Sequence, residues 1–210
     1  MFLSRLAALF EKTKLLDYHS PRIRKILLKN PQNPCFMNVT FDALPPTARV
    51  WIYQANRPLT DAELAAVGPH LAQFATAWTS HGAALRAAAE FRHRQFLVIG
   101  LDEAVAGASG CSIDTSVRFV HELENALSIS LLDKAHLAFG GAAGLELLER
   151  RALKLAVAAG TLGPETPYFD NTVATKAEME ARWPAPAGRT WLARYFAPAP
   201  AESAGAPTPA

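Results

Sequence analysis

The chain has 210 residues, of which 50% are hydrophobic and 19% are charged, and its formal net charge is +2 at pH 7. This length supports one sizeable core, and no apolar run reaches the roughly 18–20 residues that cross a bilayer. With only Cys35 and Cys111 present, a disulfide-stapled secreted fold is excluded, and a reducing, cytoplasmic location is expected.

Residues 1–37 differ in composition from the rest of the chain. Residues 1–30 hold seven basic and two acidic side chains, a net charge of +5; taking this from +2 leaves −3 for residues 31–210. Apolar side chains recur at helical spacing in Phe2, Leu3, Leu6, Leu9 and Phe10. We expect either a basic amphipathic arm that contacts a membrane surface or an acidic partner, or an extension upstream of a start at Met37. The acidic remainder argues against nucleic-acid binding by the body.

The folded body is expected to span residues 40–196 and to begin with a strand and a helix. Arg49–Gln54 is β-branched and aromatic, which predicts the first strand. Thr60 and Glu63 have the spacing of a capping box and predict a helix start, while Gly82 is expected to end that helix. The apolar stripe of this helix is formed by Leu64, Val67, Leu71, Phe74 and Trp78.

Two more strands, a second helix and a fourth strand are predicted next. Leu85–Arg92 alternates apolar and polar residues, which favours a strand with one solvated face. Phe96–Leu101 is continuously apolar, as in a central buried strand. Asp114 or Thr115 is expected to cap the second helix, and His136–Phe139 is the predicted fourth strand.

The order β-α-β-β-α-β over residues 40–144 indicates an α+β fold, the ferredoxin-like sandwich. Its two helices would cover one face of the sheet. Residues 145–196 are expected to form an α/β extension that packs on this core and covers the other face. Residues 197–210 are rich in Ala and Pro and are expected to be disordered.

This topology brings reactive side chains to one edge of the sheet. The end of the first helix, which carries His81, should lie beside the segment that contains Cys111 and Asp114. A cysteine at a helix N-terminus is favoured as a thiolate, and Cys–His–Asp is a recognised catalytic arrangement. The candidate catalytic residues are therefore Cys111 as nucleophile, His81 as base, and Asp114 or Asp102 as the group that orients the base.

The same edge is also a candidate binding site. Amide groups of a glycine-flanked loop can hold an anion, and the candidate ligand-binding residues are Gly110, Ser112, Asp102 and Glu103. Since a cysteine is more often buried than reactive, the residues favour a module that binds a small anionic ligand or a protein partner. A thiol-dependent enzyme or redox sensor is the alternative. The sequence has no Cys-x-x-Cys pair and no His-Glu-x-x-His box, so no metal or other cofactor is expected.

Five stretches carry a family resemblance: Arg49-Val-Trp-Ile-Tyr-Gln54, Trp78-Thr-Ser-His-Gly82, Ala108-Ser-Gly-Cys-Ser-Ile-Asp114, Asn171-Thr-Val-Ala-Thr-Lys176 and Trp191-Leu-Ala-Arg-Tyr-Phe196. With them, residues 40 to about 196 resemble a family of small, uncharacterised bacterial proteins commonly labelled "ABC transporter ATPase". The resemblance implies no reaction and no site residues. Because the sequence lacks G-x-x-x-x-G-K-[ST], whose amides and lysine hold phosphates, ATP hydrolysis by a P-loop is excluded.

Overall fold

The computed structural model describes residues 39–142 and 144–197. The predictions for residues 1–37, and for the tail beyond Ala197, lie outside the described residues. Helices and antiparallel sheets are mixed along the chain, which confirms the α+β class. In the described part of the chain, no helix combines the length and the apolar character that crossing a membrane requires.

The described residues form nine strands and four α-helices, with short 3-10 turns between them. The strands are β1 (Arg49–Gln54), β2 (Thr79–Ser80), β3 (Ala83–Ala84), β4 (Ala87–Arg92), β5 (Phe96–Leu101), β6 (His136–Gly141), β7 (Gly144–Glu149), β8 (Pro167–Tyr168) and β9 (Ala185–Pro186). The helices are α1 (Asp61–Ala77), α2 (Gly110–Leu127), α3 (Leu153–Ala158) and α4 (Lys176–Arg182). Strands pair antiparallel in the orders β1-β5-β4 (the first sheet), β2-β3, and β7-β6-β8-β9 (the second sheet).

Strand β5 is the centre of the fold, as its apolar run predicts. All six of its residues are buried, and β1 and β4 flank it. Leu97 and Ile99 face a core shared with α1 and α2. Phe96 and Val98 face a second core, which they share with side chains of residues 145–196, the C-terminal segment. Because each fully buried large apolar side chain contributes about 1.5–3 kcal/mol, this strand anchors both layers.

The C-terminal segment packs on the face of the first sheet opposite α1 and α2. The Phe96 ring lies 5.0 Å from the Phe169 ring and 4.9 Å from the Trp183 ring, centroid to centroid. The ammonium of Lys176, on a side chain only 7% exposed, donates hydrogen bonds of 2.8 Å to the carbonyls of Asp42 and Leu44. These contacts hold α4 against the start of the described chain.

Helix α1 begins as predicted but ends five residues before Gly82. Thr60 and Glu63 form the expected capping box. After Ala77 the chain forms the β2–β3 hairpin, whose turn residues His81 and Gly82 have φ of 50° and 81°. Two consecutive positive φ angles are what a two-residue hairpin turn of type I′ requires. The prediction that Gly82 ends the helix, with His81 in its last turn, is therefore wrong.

Helix α2 begins at Gly110, so the predicted cap at Asp114 or Thr115 is also wrong. Ser109 is the N-cap: its hydroxyl accepts from the Ser112 amide at 3.2 Å, and the Ser112 hydroxyl accepts from the Ser109 amide at 2.8 Å. The usual capping-box signature has Glu or Gln in the third position, and this helix has serine there. Cys111 consequently lies inside the first turn and not in a loop ahead of it.

The fourth strand is not where a ferredoxin-like sheet would place it. That plan puts β6 next to β1, whereas in this structure β6 pairs with β7 over six residues and with β8. A hairpin between neighbouring strands closes a short loop, which costs less entropy than a distant pairing. As far as the described residues show, only the start of the outer edge of β1 is paired, through an isolated bridge between Arg49 and Thr175. The α+β class is confirmed, and the described residues do not form a complete four-stranded ferredoxin-like sheet.

Gly100 provides a test of the packing on β5. A Cβ atom added there would lie 2.5 Å from Leu44 Cδ1 and 2.9 Å from Phe41 Cε2. We expect Gly100→Ala to lower the free energy of unfolding by about 1–3 kcal/mol, because the 3-10 turn Phe41–Ala43, which is followed directly by Leu44, must shift. Urea unfolding measures the effect. Gly107→Ala is the matched control, since an added Cβ there meets nothing within 4 Å; equal stabilities of the two variants would contradict this packing.

Glu63 provides a test that depends on pH. Hydrogen bonds from Arg57, with those from Thr60, lower the pKa of the Glu63 carboxyl from 4.5 to about 2. Since the folded pKa is below the unfolded one, the carboxylate stabilises the fold fully above pH 4.5 and loses this effect as the pH falls toward 2. The stability difference between the wild type and Glu63→Gln should therefore be constant near neutral pH and shrink in acid. Urea unfolding across this range checks it, with the exposed Glu122→Gln as control; a difference that stays constant in acid would contradict it.

Candidate functional site

The two segments expected to meet at one sheet edge do meet. The indole nitrogen of buried Trp78 donates to the Ser112 carbonyl at 2.8 Å, which joins the end of α1 to the first turn of α2. His81, Cys111 and Asp114 are all exposed at this edge. Within residues 39–142 and 144–197, no hydrogen bond, ion pair or ring contact connects these three side chains.

The other predicted residues at this edge have local partners. Asp102 is buried, and its carboxylate accepts from Arg86 Nη1 at 3.1 Å and from the Ala104 amide at 3.1 Å. Glu103 lies 3.5 Å from Arg49 Nη1. Ser112 is buried in the capping box, and Gly110 is the exposed first residue of α2. The carboxylate of Asp102 and the hydroxyl of Ser112 are thus occupied by contacts that hold the edge together.

A cleft of about 710 Å³, which we call the β1 cleft, lies beside strand β1, at the edge that does not pair with β5. All of β1 lines it, together with residues 131–134 and 171–174 and side chains of the second sheet, and Arg150 and Trp191 complete the wall. It lies along the edge of β1 that a ferredoxin-like fourth strand would occupy. Sequence reasoning missed it because β6 was expected in that place.

The backbone edge of β1 is largely unpaired in this cleft. The Val50 amide donates to the Ala174 carbonyl at 2.9 Å, on the cleft side of β1. The Ala55 amide, one residue after β1, instead donates to the Gln95 carbonyl at 2.7 Å, on the side of β5. Because hydrogen-bonding directions alternate along a strand, the N–H and C=O of Ile52 also point toward the cleft. The ladder stops there, since the Ala174 amide donates to Glu178 Oε2 at 2.9 Å and not back to Val50. Of the described residues, only 174–176 pair with this edge.

A chain of side-chain hydrogen bonds spans the cleft at the Gln54 end of β1. Gln54 Nε2 donates to the His136 carbonyl at 3.3 Å, and Asn171 Nδ2 donates to Gln54 Oε1 at 3.3 Å. Trp183 Nε1 in turn donates to Asn171 Oδ1 at 3.0 Å. This bridge links β1 to the second sheet through side chains, and it leaves the remaining backbone edge of β1 facing open space.

The cleft is more basic than the chain around it. Its charged lining comprises three cations (Arg49, Lys134 and Arg150) and the carboxylate of Asp133, hence +2 with His136 neutral. By contrast, residues 31–210 together carry −3. Among the described residues, Lys134 and Arg150 form no ion pair, and the Arg150 guanidinium lies 5.2 Å from the centre of the Trp191 ring. Hydrogen bonds from the Ala135 amide and His136 lower the pKa of the Asp133 carboxyl, so it stays ionised beside them.

Two hydroxyl groups of the cleft lining, those of Tyr168 and Thr172, already have hydrogen-bond partners. The Tyr168 hydroxyl accepts from Trp191 Nε1 at 3.1 Å, and burial raises the pKa of Tyr168 to about 12, so the phenol is neutral at physiological pH. The Thr172 hydroxyl donates to Asp170 Oδ1 at 2.7 Å. Among the described residues lining the cleft there is no cysteine or serine.

No family model, curated protein or solved structure matches this chain. The function must therefore be inferred from the chain's own geometry, and the family resemblance stays a prediction.

Asn171 tests the bridge across the cleft. We expect Asn171→Ala to lower the free energy of unfolding by about 1–3 kcal/mol, because buried Gln54 and the Trp183 indole each lose a partner. Urea unfolding followed by tryptophan fluorescence measures this change. Asn125→Ala, on the exposed side of α2, is the control, and no loss is expected there. A loss in Asn125→Ala equal to that in Asn171→Ala would argue against the bridge.

Proposed function

We propose that this protein is a non-catalytic binding module that takes an anionic ligand or partner in the β1 cleft. The observation that carries the proposal is the unpaired backbone edge of β1 inside a cleft whose lining is net basic. The volume lies within the range of about 300–1,000 Å³ that is usual for ligand sites. Backbone groups and cations together offer both donors and acceptors to a bound molecule.

The cleft is preferred as the binding surface to the edge that carries His81, Cys111 and Asp114, which we call the rim. A catalytic base must come within hydrogen-bond reach of its nucleophile, and no described contact joins His81 to Cys111. The thiol-dependent enzyme or redox sensor, with Cys111 as nucleophile and His81 as base, stays a prediction. The exposed free thiol of Cys111 is compatible with the reducing, cytoplasmic location that we propose.

The cleft also supports a proposal about the fold. The core of residues 40–144 would follow the ferredoxin-like plan through β1, α1, β4, β5 and α2. The position of its fourth strand would then be left to a ligand, with β6 committed to the second sheet. This arrangement would explain why the edge beside β1 is open although both faces of the first sheet are covered by other elements.

An NMR titration of the full chain tests the proposal. We expect citrate, inorganic phosphate or short acidic peptides to shift amide signals of β1 and residues 171–174 at concentrations up to about 1 mM. Ala174→Trp should abolish these shifts, because this exposed residue lines the cleft and its new ring would fill it. Ala177→Trp, an exposed position on α4 outside the cleft lining, is the matched control and should bind normally.

Two outcomes would overturn the proposal. One is a set of shifts confined to residues 81 and 111–114, which would place binding at the rim. The other is a complete absence of shifts in β1 with every probe. Cys111→Ser separates the two surfaces, since it should leave binding at the cleft unchanged.

A further inference from the structure

We infer that the occupant of the β1 cleft is an acidic, extended peptide segment that adds to β1 as a further strand. This inference rests on the proposed function, since it names the partner for the same cleft. It makes the unpaired edge of β1 the main recognition element and the cations around it the source of selectivity.

The hydrogen-bonding pattern of β1 supports strand addition. Residues 174–176 already pair with the start of β1: the Val50 amide donates to the Ala174 carbonyl at 2.9 Å, and the Lys176 amide donates to the Ala48 carbonyl at 2.8 Å. Beyond this bridge the Val50 carbonyl and both polar backbone groups of Ile52 face the cleft. A peptide that continues the same ladder would satisfy them, and main-chain bonds of this kind provide affinity without demanding a particular sequence.

The charges select the class of peptide. Lys134 and Arg150 line the cleft without an ion pair among the described residues, and Arg150 is stacked on Trp191, which limits its rotamers. Arg49, at the start of β1, stacks on Trp51 at 4.6 Å and is only loosely paired with Glu103. In a bound strand every second side chain points to the same face. Acidic side chains on alternate positions would therefore meet these cations along the strand.

A free small anion would use the site differently. Citrate or phosphate would contact the cations and leave the edge of β1 unpaired. The two kinds of ligand can therefore be separated by asking whether binding needs the amide hydrogens of the ligand's own backbone.

A phage-displayed library of random short peptides, panned against the full chain, provides the probe. We expect the selected peptides to be rich in Asp and Glu and poor in Pro. The affinity of one selected peptide, made synthetically with a fluorescent label, is then measured by anisotropy. Methylation of its backbone nitrogens one at a time should weaken binding by at least about tenfold at the two alternate positions whose N–H groups meet the Val50 and Ile52 carbonyls, because each of these N–H groups forms a ladder bond.

Variants of the chain test the charges. Arg150→Gln and Lys134→Gln should each weaken the selected peptide about three- to fivefold at low salt, and the effect should fall as salt is raised. The matched controls are Arg189→Gln and Lys154→Gln, two exposed cations outside the cleft lining, which should bind normally. Thermal melting confirms that each variant is folded.

The outcomes distinguish this inference from the proposed function. Binding that tolerates methylation at every position, or that selects basic or neutral peptides, would overturn strand addition by an acidic segment while the cleft remained a binding site. A library that selects nothing, while citrate or phosphate shifts the β1 amides, would also overturn it and leave a small-anion site. Selected peptides that bind Ala174→Trp as well as the wild type would overturn the cleft itself.

Discussion

The buried ammonium of Lys176 connects the parts of the structure on which the cleft depends. An ammonium in a protein interior is costly unless its protons are bonded. Here it donates to the carbonyls of Asp42 and Leu44 and lies 3.6 Å from Glu180. These contacts secure the 3-10 turn Phe41–Ala43 and α4 together over the first sheet. The segment just before Lys176 is thereby placed along β1, where it pairs once and then turns away.

The motifs that carry the family resemblance are largely accounted for by such contacts. Thr175 caps α4, Asn171 joins Trp183 to Gln54, and the Trp191 indole is bonded to Tyr168. Trp78 is likewise held by a carbonyl of α2. A motif residue with a complete set of structural partners needs no catalytic role. Among the motif residues at the rim, the exposed side chains of His81, Cys111 and Asp114 have no described hydrogen bond, ion pair or ring contact.

The cleft and the rim differ in what they can offer a ligand. At the rim, exposed side chains are presented separately, and the more buried carboxylate, Asp102, is held by Arg86. The cleft has walls from both sheets, a backbone edge and an excess of cations. A ligand there would be surrounded on several sides and would exchange water for fixed donors and acceptors. This difference in enclosure is the physical reason for preferring the cleft.

Local signals in the sequence were sufficient for β1, for the capping box of α1 and for the buried strand β5. Each of these depends on residues close together in the chain: alternation, spacing of apolar positions, or a hydroxyl three residues from a carboxylate. The meeting of α1 and α2 at one edge also followed from the order of elements. What the tertiary structure alone decided was where α1 ends, which serine caps α2 and which partner β6 takes. These outcomes depend on competition between distant contacts, such as Trp78 with Ser112 and β6 with β7 in place of β1, and the cleft exists because of that last choice.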